Sequence, residues 1–385
     1  HGMMASEREL ELSDEHNGII ELPSGEVGQR FTDWLAANAP EKIDPVIEIK
    51  ITPNRPDALG IRGIARDLAA RGLGTFKPLK TATIAGRFPS PVGVSIDPEI
   101  AAKAPFFAGR VVRGVRNGPS PDWMQKRLRA IGLRPINALV DITNYFTHDL
   151  NRPLHVFDVA RVTGDLHLRA ARAGETLVAL DDKTYAMPEG AVVICDANGI
   201  ESIAGVMGGA ASGSSDDTTE VFIEAAYFDP ISVAATGRAL KINSDARYRF
   251  ERGIDPEFTL PGLDLATQMV IDLCGGEPSE IVTAGAVPDH ARAYRLDTDR
   301  VVSLVGMDIP AEQQRATLTA LGFEIDGDMA RFARLSDAGN RREGWFCADC
   351  GVRIVHGTAG NPMVNIKAGT LDDTSWLVPA GHIWT

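Results

Sequence analysis

The sequence predicts an α/β (α+β) fold in which a central mixed-sheet domain is flanked by partial small domains. A chain of 385 residues is too long for a single hydrophobic core, which predicts more than one domain. Short apolar runs separated by Asp, Gly and Asn turns occupy residues 166–226, whereas helical periodicity precedes and follows them. Hydrophobic residues make up 44% and charged residues 24%, a composition typical of a globular protein.

The N-terminal region contains one predicted strand and one predicted helix. Residues 1–40 are acidic and show little apolar periodicity. Residues 46–51 alternate between apolar and polar side chains, which predicts a strand. Asp57 can cap a helix that runs to about Arg71.

The central region alternates helices and strands. Ser120 followed by Pro121 predicts the start of a helix that ends near Gly132. Three strands are predicted at Glu175–Leu180, Ala191–Ile194 and Val221–Ile223. Two further helices are predicted at about Pro230–Lys241 and Thr259–Cys274.

The C-terminal third changes character twice. A smaller unit contains a strand-like Ala293–Leu296 and a helix that begins at Pro310 and ends at Gly322. After about residue 329, tryptophan becomes frequent. These shifts predict five segments, namely 1–40, 41–92, 93–286, 287–328 and 329–385.

The formal net charge of −13 argues against nucleic-acid binding driven by overall charge. Residues 103–134 nevertheless hold eight Lys and Arg residues against the single acid Asp122. This stretch is either a basic surface suited to a phosphate backbone or a solvated face paired with acids elsewhere.

Nothing in the sequence indicates a membrane span or a secretion signal. Cys195 and Cys274 each follow an apolar run and are predicted to be buried thiols. Because the four cysteines do not form a disulfide framework, we expect a cytoplasmic protein with no membrane partner.

Several motifs resemble the β subunit of bacterial phenylalanyl-tRNA synthetase, and they occur in that family's order over about residues 3–328. Single motifs of this kind are weak signals, whereas an ordered series is specific. They are Met4–Pro23, Ile51–Asp67, Val140–Tyr145, Arg152–Asp158, Gly205–Gly209, Phe222–Phe228 and Arg247–Asp255.

The resemblance implies an editing domain at residues 93–286 that hydrolyses mischarged Tyr-tRNA(Phe), and the end of a tRNA-binding module at residues 1–40. A pocket built for phenylalanine cannot strongly reject tyrosine, which merely adds a hydroxyl. A second site that hydrogen-bonds the hydroxyl refuses phenylalanine, because its polar groups would then be left unpaired. Such a site needs a buried polar partner for the phenol and small residues around the ring.

The motifs place candidate residues for this reaction. The resemblance implies that Glu224, in an apolar strand, binds the tyrosine hydroxyl; the alternative is a strand residue facing solvent. It implies that His155 and Asn144 act at the ester, although a lone His is often structural and Asn144 can cap a turn. The other matching pocket positions are Gly205, Gly208, Arg134, Ser244 and Ala246.

The sequence lacks a nucleophile paired with a base near His155, so the expected reaction is attack by water. No cofactor is expected for editing. ATP and Mg²⁺ are expected only for the complete synthetase, whose partners are tRNA(Phe) and the α subunit of a heterotetramer. This chain should not aminoacylate alone. The alternative is a non-catalytic fragment that binds tRNA or the α subunit.

Residues 329–385 resemble part of glutathione-dependent formaldehyde-activating enzymes. The resemblance rests on the motifs Trp345–Gly351, Lys367–Asp373 and His382–Thr385. That family binds zinc through cysteines, and Cys347 and Cys350 are spaced to supply half of a four-thiolate site. The upstream cysteines of the family are missing, so thiol-adduct chemistry is not expected. Zinc shared between two tails is the remaining hypothesis.

Overall fold

The structure is a computed structural model of the whole chain. It describes residues 4–325, apart from 11, 13–15, 17, 41, 42, 44 and 45, and the backbone of four strands beyond residue 328. The chain divides into two compact units, residues 1–295 and 296–385. The predicted α/β class is confirmed, because both units combine helices with sheets.

The first unit contains seven described α-helices and twelve described strands. Its helices are α1 (Phe31–Asn38), α2 (Ile61–Ala70), α3 (Asp122–Ala130), α4 (Ala138–Leu150), α5 (Pro230–Leu240), α6 (Asp245–Phe250) and α7 (Thr259–Cys274). Its strands are β1 (Val94–Ile96), β2 (Phe106–Arg113), β3 (His155–Asp158), β4 (Leu166–Ala170), β5 (Thr176–Val178), β6 (Thr184–Ala186), β7 (Val192–Cys195), β8 (Ile200–Ile203), β9 (Met207–Gly208), β10 (Glu220–Tyr227), β11 (Glu277–Pro278) and β12 (Val282–Gly285).

Two five-stranded sheets organise the first unit. The outer sheet has the order β1-β4-β7-β8-β9, in which β1 and β4 are parallel and the other pairs antiparallel. The central sheet has the order β11-β2-β10-β3, and β12 also pairs with β2. β10 is therefore an interior strand, antiparallel to β2 on one side and to β3 on the other.

The core forms two layers, one on each face of the central sheet. Phe222 on β10 packs with outer-sheet residues such as Leu168 and Ile203, so one layer lies between the two sheets. Ile223, the next residue, packs with Ile142 of α4 and other helix residues on the opposite face. Successive side chains of a strand point to opposite faces, and β10 therefore feeds both layers.

The second unit contains α8 (Asp299–Val305) and α9 (Ala311–Ala320). It also contains an antiparallel sheet of β13 (Met329–Leu335), β14 (Arg341–Cys347), β15 (Arg353–Thr358) and β16 (Val364–Ile366). The predicted helix from Pro310 to Gly322 is confirmed as α9, whereas Ala293–Leu296 forms no strand.

The other helix and strand predictions are mostly confirmed. The helix over Thr259–Cys274 has the predicted bounds, and those predicted from Ser120 and from Pro230 are α3 and α5. The three predicted central strands correspond to β5, β7 and β10. Cys195 and Cys274 are buried free thiols, as predicted.

Two predictions near the N-terminus are wrong. Residues 46–51 form no strand where they are described, and Val46 and Ile47 are exposed, because an alternating pattern needs a partner strand to pair with. α2 is capped by the backbone at Gly60, not by Asp57. The Asp57 carboxylate instead accepts hydrogen bonds from Arg55 and Arg66.

The basic stretch 103–134 does not form one surface. Arg110 is buried and bonds to Asp264 of α7 at 3.3 Å. Arg113 pairs with Glu277 at 3.2 Å, and Arg127 donates to the Tyr145 hydroxyl at 3.0 Å. Three of the eight cations are thus paired with other parts of the first unit, which agrees with the solvated and paired alternative.

Candidate active site

Glu224 and His155 lie side by side on the central sheet. They are direct cross-strand partners in the register of β10 and β3. Glu224 alternates with Phe222 along β10, so its side chain points into the layer between the two sheets. Directly opposed residues have Cβ atoms about 4.5–5.5 Å apart, which brings the carboxyl and the imidazole into one small region.

Gly208 of the outer sheet closes this region from the facing side. A Cβ atom added at Gly208 would lie 2.3 Å from His155 Cε1. The imidazole also makes an edge contact with the Phe157 ring, with centroids 4.4 Å apart. His155 is therefore held between a glycine backbone and an aromatic ring, and no larger residue fits at position 208.

Each of the two side chains has a buried polar atom without a partner among the described residues. Glu224 is 6% exposed, and its Oε2 forms no hydrogen bond. His155 Nε2 is likewise buried and makes no hydrogen bond within the part of the chain that the structure describes. A buried polar atom without a partner costs about 1–3 kcal/mol, so a native fold keeps such atoms only for a reason.

Burial also sets the protonation of the pair. Desolvation raises the pKa of the Glu224 carboxyl to about 8 and lowers the pKa of the His155 imidazole to about 4. At neutral pH the carboxyl is therefore mainly protonated and the imidazole uncharged. The site offers a hydrogen-bond donor and acceptor without a net charge, which suits a neutral polar group such as a phenol.

The glycine segment of the outer sheet is fixed by a neighbouring helix. Ser244 caps α6 by accepting a hydrogen bond from Arg247 N and donates to Val206 O at 2.5 Å. Gly205 has φ +69°, and a Cβ atom there would approach Phe228 Cδ2 to 3.0 Å. These contacts hold the turn that leads to Gly208.

The structure brings together only some of the predicted residues. Ala246 is half-buried on α6 and packs on the layer between the sheets. Asn144 is half-buried on α4, and Arg134 is exposed in the loop before α4. Among the described residues, no hydrogen bond joins either of them to Glu224 or His155, so their roles stay predictions.

One residue of the site was missed by the sequence reasoning. Gly109 of β2 is the cross-strand partner of Glu224 on the side away from His155. A Cβ atom at Gly109 would lie 2.2 Å from the Phe222 ring. A glycine inside the strand Phe106–Arg113 is a signal of close approach and would have identified it.

The predicted metal residues of the tail lie at the limit of the structure. Cys347 ends β14, and only its backbone is described, whereas Cys350 lies outside the described residues. Within the described part of the chain, no group of three or more His, Cys, Asp or Glu side chains is arranged to hold a metal ion. The same part contains no helix that is long and apolar enough to cross a membrane.

Comparison with known proteins defines the class of domain that carries this site. The family model described as the B3/4 domain matches residues 103–275, which include every strand of the central sheet except β11 and β12. A second model, described as glutathione-dependent formaldehyde-activating enzyme, matches residues 311–385. The segment boundary predicted near residue 329 remains a prediction.

Curated relatives match most of the chain. The chain is 65% identical over 330 residues to the phenylalanine–tRNA ligase beta subunit of Ruegeria pomeroyi, covering 86% of the chain and 41% of the relative. The corresponding subunit of Cereibacter sphaeroides is 63% identical over 332 residues, with the same coverage. This chain is thus homologous to phenylalanine–tRNA ligase β subunits over most of its length, which confirms the resemblance inferred from the sequence.

The chain spans about two-fifths of the length of the curated relatives it matches. One solved structure, an N-terminal fragment of the phenylalanyl-tRNA synthetase β subunit from Pyrococcus horikoshii, is a remote likeness. It is 14% identical, with a TM-score of 0.33, and the match covers 83% of this chain and 89% of that chain.

Proposed function

We propose that the region between the two sheets hydrolyses tyrosine from mischarged Tyr-tRNA(Phe). The observation that carries this proposal is the adjacent Glu224–His155 pair, whose buried Oε2 and Nε2 atoms have no partner among the described residues. A tyrosine hydroxyl would satisfy the carboxyl, whereas phenylalanine would leave it unpaired. A site of this kind rejects the analogue that lacks the hydroxyl by factors of about 10⁴–10⁵.

The chemistry at the ester falls to His155 and water. An uncharged imidazole can accept a proton from water or donate a hydrogen bond to the ester carbonyl, depending on its tautomer. Gly208 lies directly opposite the ring, and its lack of a side chain leaves the room that the imidazole occupies. Asn144, Arg134, Ser244 and Ala246 complete the proposed set.

The test is deacylation of Tyr-tRNA(Phe) by the wild-type chain and by Glu224→Ala. We expect Glu224→Ala to lose about 10- to 100-fold in kcat/KM, the range of one hydrogen bond to a buried carboxyl group. Glu220→Ala is the matched control, because Glu220 begins the same strand and is only half-buried. Phe-tRNA(Phe) serves as the substrate that should be spared.

Two results would contradict the proposal. Equal hydrolysis by wild type and Glu224→Ala would remove Glu224 from substrate recognition. A wild-type chain that is folded and binds tRNA but does not deacylate Tyr-tRNA(Phe) would favour the alternative, a fragment that binds tRNA or the α subunit.

We propose the cytoplasm as the compartment, and tRNA(Phe) and the α subunit as partners, on the basis of the relatives.

We make a separate proposal for the tail. Cys347 and Cys350 from two copies of the chain would together supply the four thiolates of a structural zinc site. Reduced protein should then contain one zinc ion for every two chains at neutral pH. Protein that contains no zinc under these conditions would overturn this proposal.

A further inference from the structure

A cleft in the first unit lies apart from the Glu224–His155 pair. Its volume is about 810 Å³, and it runs between α2 and the chain that follows α6. Five arginines and two aspartates line it; we call it the arginine groove, with Arg62, Arg66, Arg152, Arg252 and Arg292 as its cations and Asp57 and Asp255 as its acids. In a chain of net charge −13, this is a local concentration of the opposite sign.

Arg152 forms the floor of the arginine groove. It is 1% exposed and donates to Ala226 O at 2.9 Å, Asp255 O at 2.5 Å and Thr259 Oγ1 at 3.2 Å. All three acceptors are uncharged, and the Asp255 carboxylate acts on the guanidinium through its charge without a hydrogen bond between the two side chains. Its Nε is buried and makes no hydrogen bond to any described residue. A buried cation with an open donor favours an anionic ligand.

The walls present arginines held by stacking. Arg62 lies over the Phe76 ring, 4.3 Å from its centroid, and donates to Lys77 O. Arg252 lies over the Tyr248 ring at 3.6 Å and also pairs with Glu251. A stacked guanidinium is planar and pre-oriented, so its remaining N–H groups can bind phosphate oxygens with little loss of side-chain entropy.

The acids of the groove are partly engaged elsewhere. Asp57 is shared between Arg55 and Arg66, and the Asp255 carboxylate accepts a hydrogen bond from Glu257 N. Arg66 is itself paired with Asp57 and Asp67, so it contributes least to an added ligand. The concave shape concentrates the field of the other cations, which raises the local affinity for anions.

We propose that the arginine groove binds phosphate groups of an RNA backbone. Planar guanidinium groups match phosphate oxygens, and the aromatic side chains of the lining, Phe76, Tyr227 and Phe258, suit a ribose or base beside the phosphate. The inference rests on the proposed function, since it places a contact of the tRNA substrate at a distinct surface from the one that recognises the amino acid.

The experiment is titration of the full chain with a labelled, uncharged tRNA(Phe) transcript, followed by fluorescence anisotropy. The variants are Arg252→Ala, Arg292→Ala and their combination; Arg152 is left intact because its loss would disturb the core. The matched control is Arg129→Ala, an exposed helix position that bonds only to Gln125. Unchanged melting temperatures show that each variant folds.

We expect each groove variant to weaken tRNA binding by about threefold to tenfold and to lower the slope of log affinity against log salt by about 1. Arg129→Ala should leave both values unchanged. Equal weakening by Arg129→Ala, or no weakening by the groove variants, would overturn the proposal. The proposal would also be overturned if inorganic phosphate raised the melting temperature of the chain but the groove variants bound tRNA as tightly as wild type.

The outcome separates this inference from the proposed function. Glu224→Ala should bind uncharged tRNA as tightly as wild type and still hydrolyse Tyr-tRNA(Phe) poorly. The groove variants should hydrolyse Tyr-tRNA(Phe) with a raised KM and an unchanged kcat, because they lose binding shared by substrate and transition state. Normal KM values in the groove variants would overturn the groove while leaving editing at Glu224 intact.

Discussion

Arg110 and Glu224 lie on neighbouring strands of the same sheet, both almost fully buried, yet their surroundings differ. Arg110 faces the helices, where its guanidinium forms an ion pair with Asp264 and donates to Ile84 O, although its Nε makes no hydrogen bond to a described residue. Glu224 faces the outer sheet, where its Oε2 has no partner among the described residues. The first group is buried for the fold and the second is kept at a cost to the fold. The presence of an ion-pair partner, more than burial, distinguishes a structural ionisable group from a candidate ligand-binding group.

The largest test of this contrast is removal of the structural group. Arg110→Ala should lower the free energy of unfolding by about 3–5 kcal/mol, because it leaves Asp264 buried and uncompensated. Chemical denaturation measures this change. Arg113→Ala, on the same strand, is the control: its pair with Glu277 is exposed and should contribute less than about 1 kcal/mol. Similar losses in both variants would show that the buried pair contributes nothing special to stability.

Glu224, the group without an ion-pair partner, should make the free energy of unfolding depend on pH. Its folded pKa of about 8 lies above the unfolded value, so the folded state binds the extra proton and its stability falls as pH rises through this interval. Glu224→Gln cannot ionise and should escape this loss. We expect its advantage in unfolding free energy over wild type to grow by about 2–3 kcal/mol between about pH 5.5 and 7.5.

Denaturation at a series of pH values measures this difference, and Glu220→Gln provides the comparison at a half-buried site on the same strand. Parallel pH profiles for wild type and Glu224→Gln would mean that Glu224 ionises normally. The contrast with Arg110 would then rest on hydrogen bonding alone.

The smallest effect is expected at Ser244, a site candidate whose hydroxyl already has protein partners. Ser244→Ala should lower the free energy of unfolding by about 1 kcal/mol through loss of the α6 cap. Ser244→Thr should retain most of it. A rise in KM for Tyr-tRNA(Phe) in the alanine variant would show that the hydroxyl also binds substrate, and a loss of stability near zero would contradict its capping role.

Several residues of the candidate site could be proposed from the sequence, because they stand in short motifs. Glu224 in an apolar strand and His155 after Arg152–Pro153 are conspicuous in the sequence. Their pairing was not predictable, because the register that places residues 155 and 224 opposite each other depends on how β3 docks on β10. The same limitation hid Gly109, whose importance appears only when Phe222 is seen to occupy the space beside it.

The wrong strand at residues 46–51 and the two alternatives left open for the basic stretch 103–134 have a shared origin. Both regions were interpreted from local pattern alone. A strand forms only with a partner, and an arginine in a basic stretch becomes buried when a carboxylate from a distant helix meets it, as Asp264 meets Arg110. Both outcomes depend on contacts between distant parts of the chain.

The position of β12 has a consequence for recombination between genes. Along the chain, β12 (Val282–Gly285) is the last described strand of the central sheet. It pairs with β2, where Val282 lies opposite Gly109, the cross-strand partner of Glu224. Every strand that shapes the candidate site is therefore encoded before residue 286. A crossover downstream of that position would replace the following sequence and leave the site's sheet complete, which makes this end of the domain a permissive junction for exchange of coding segments.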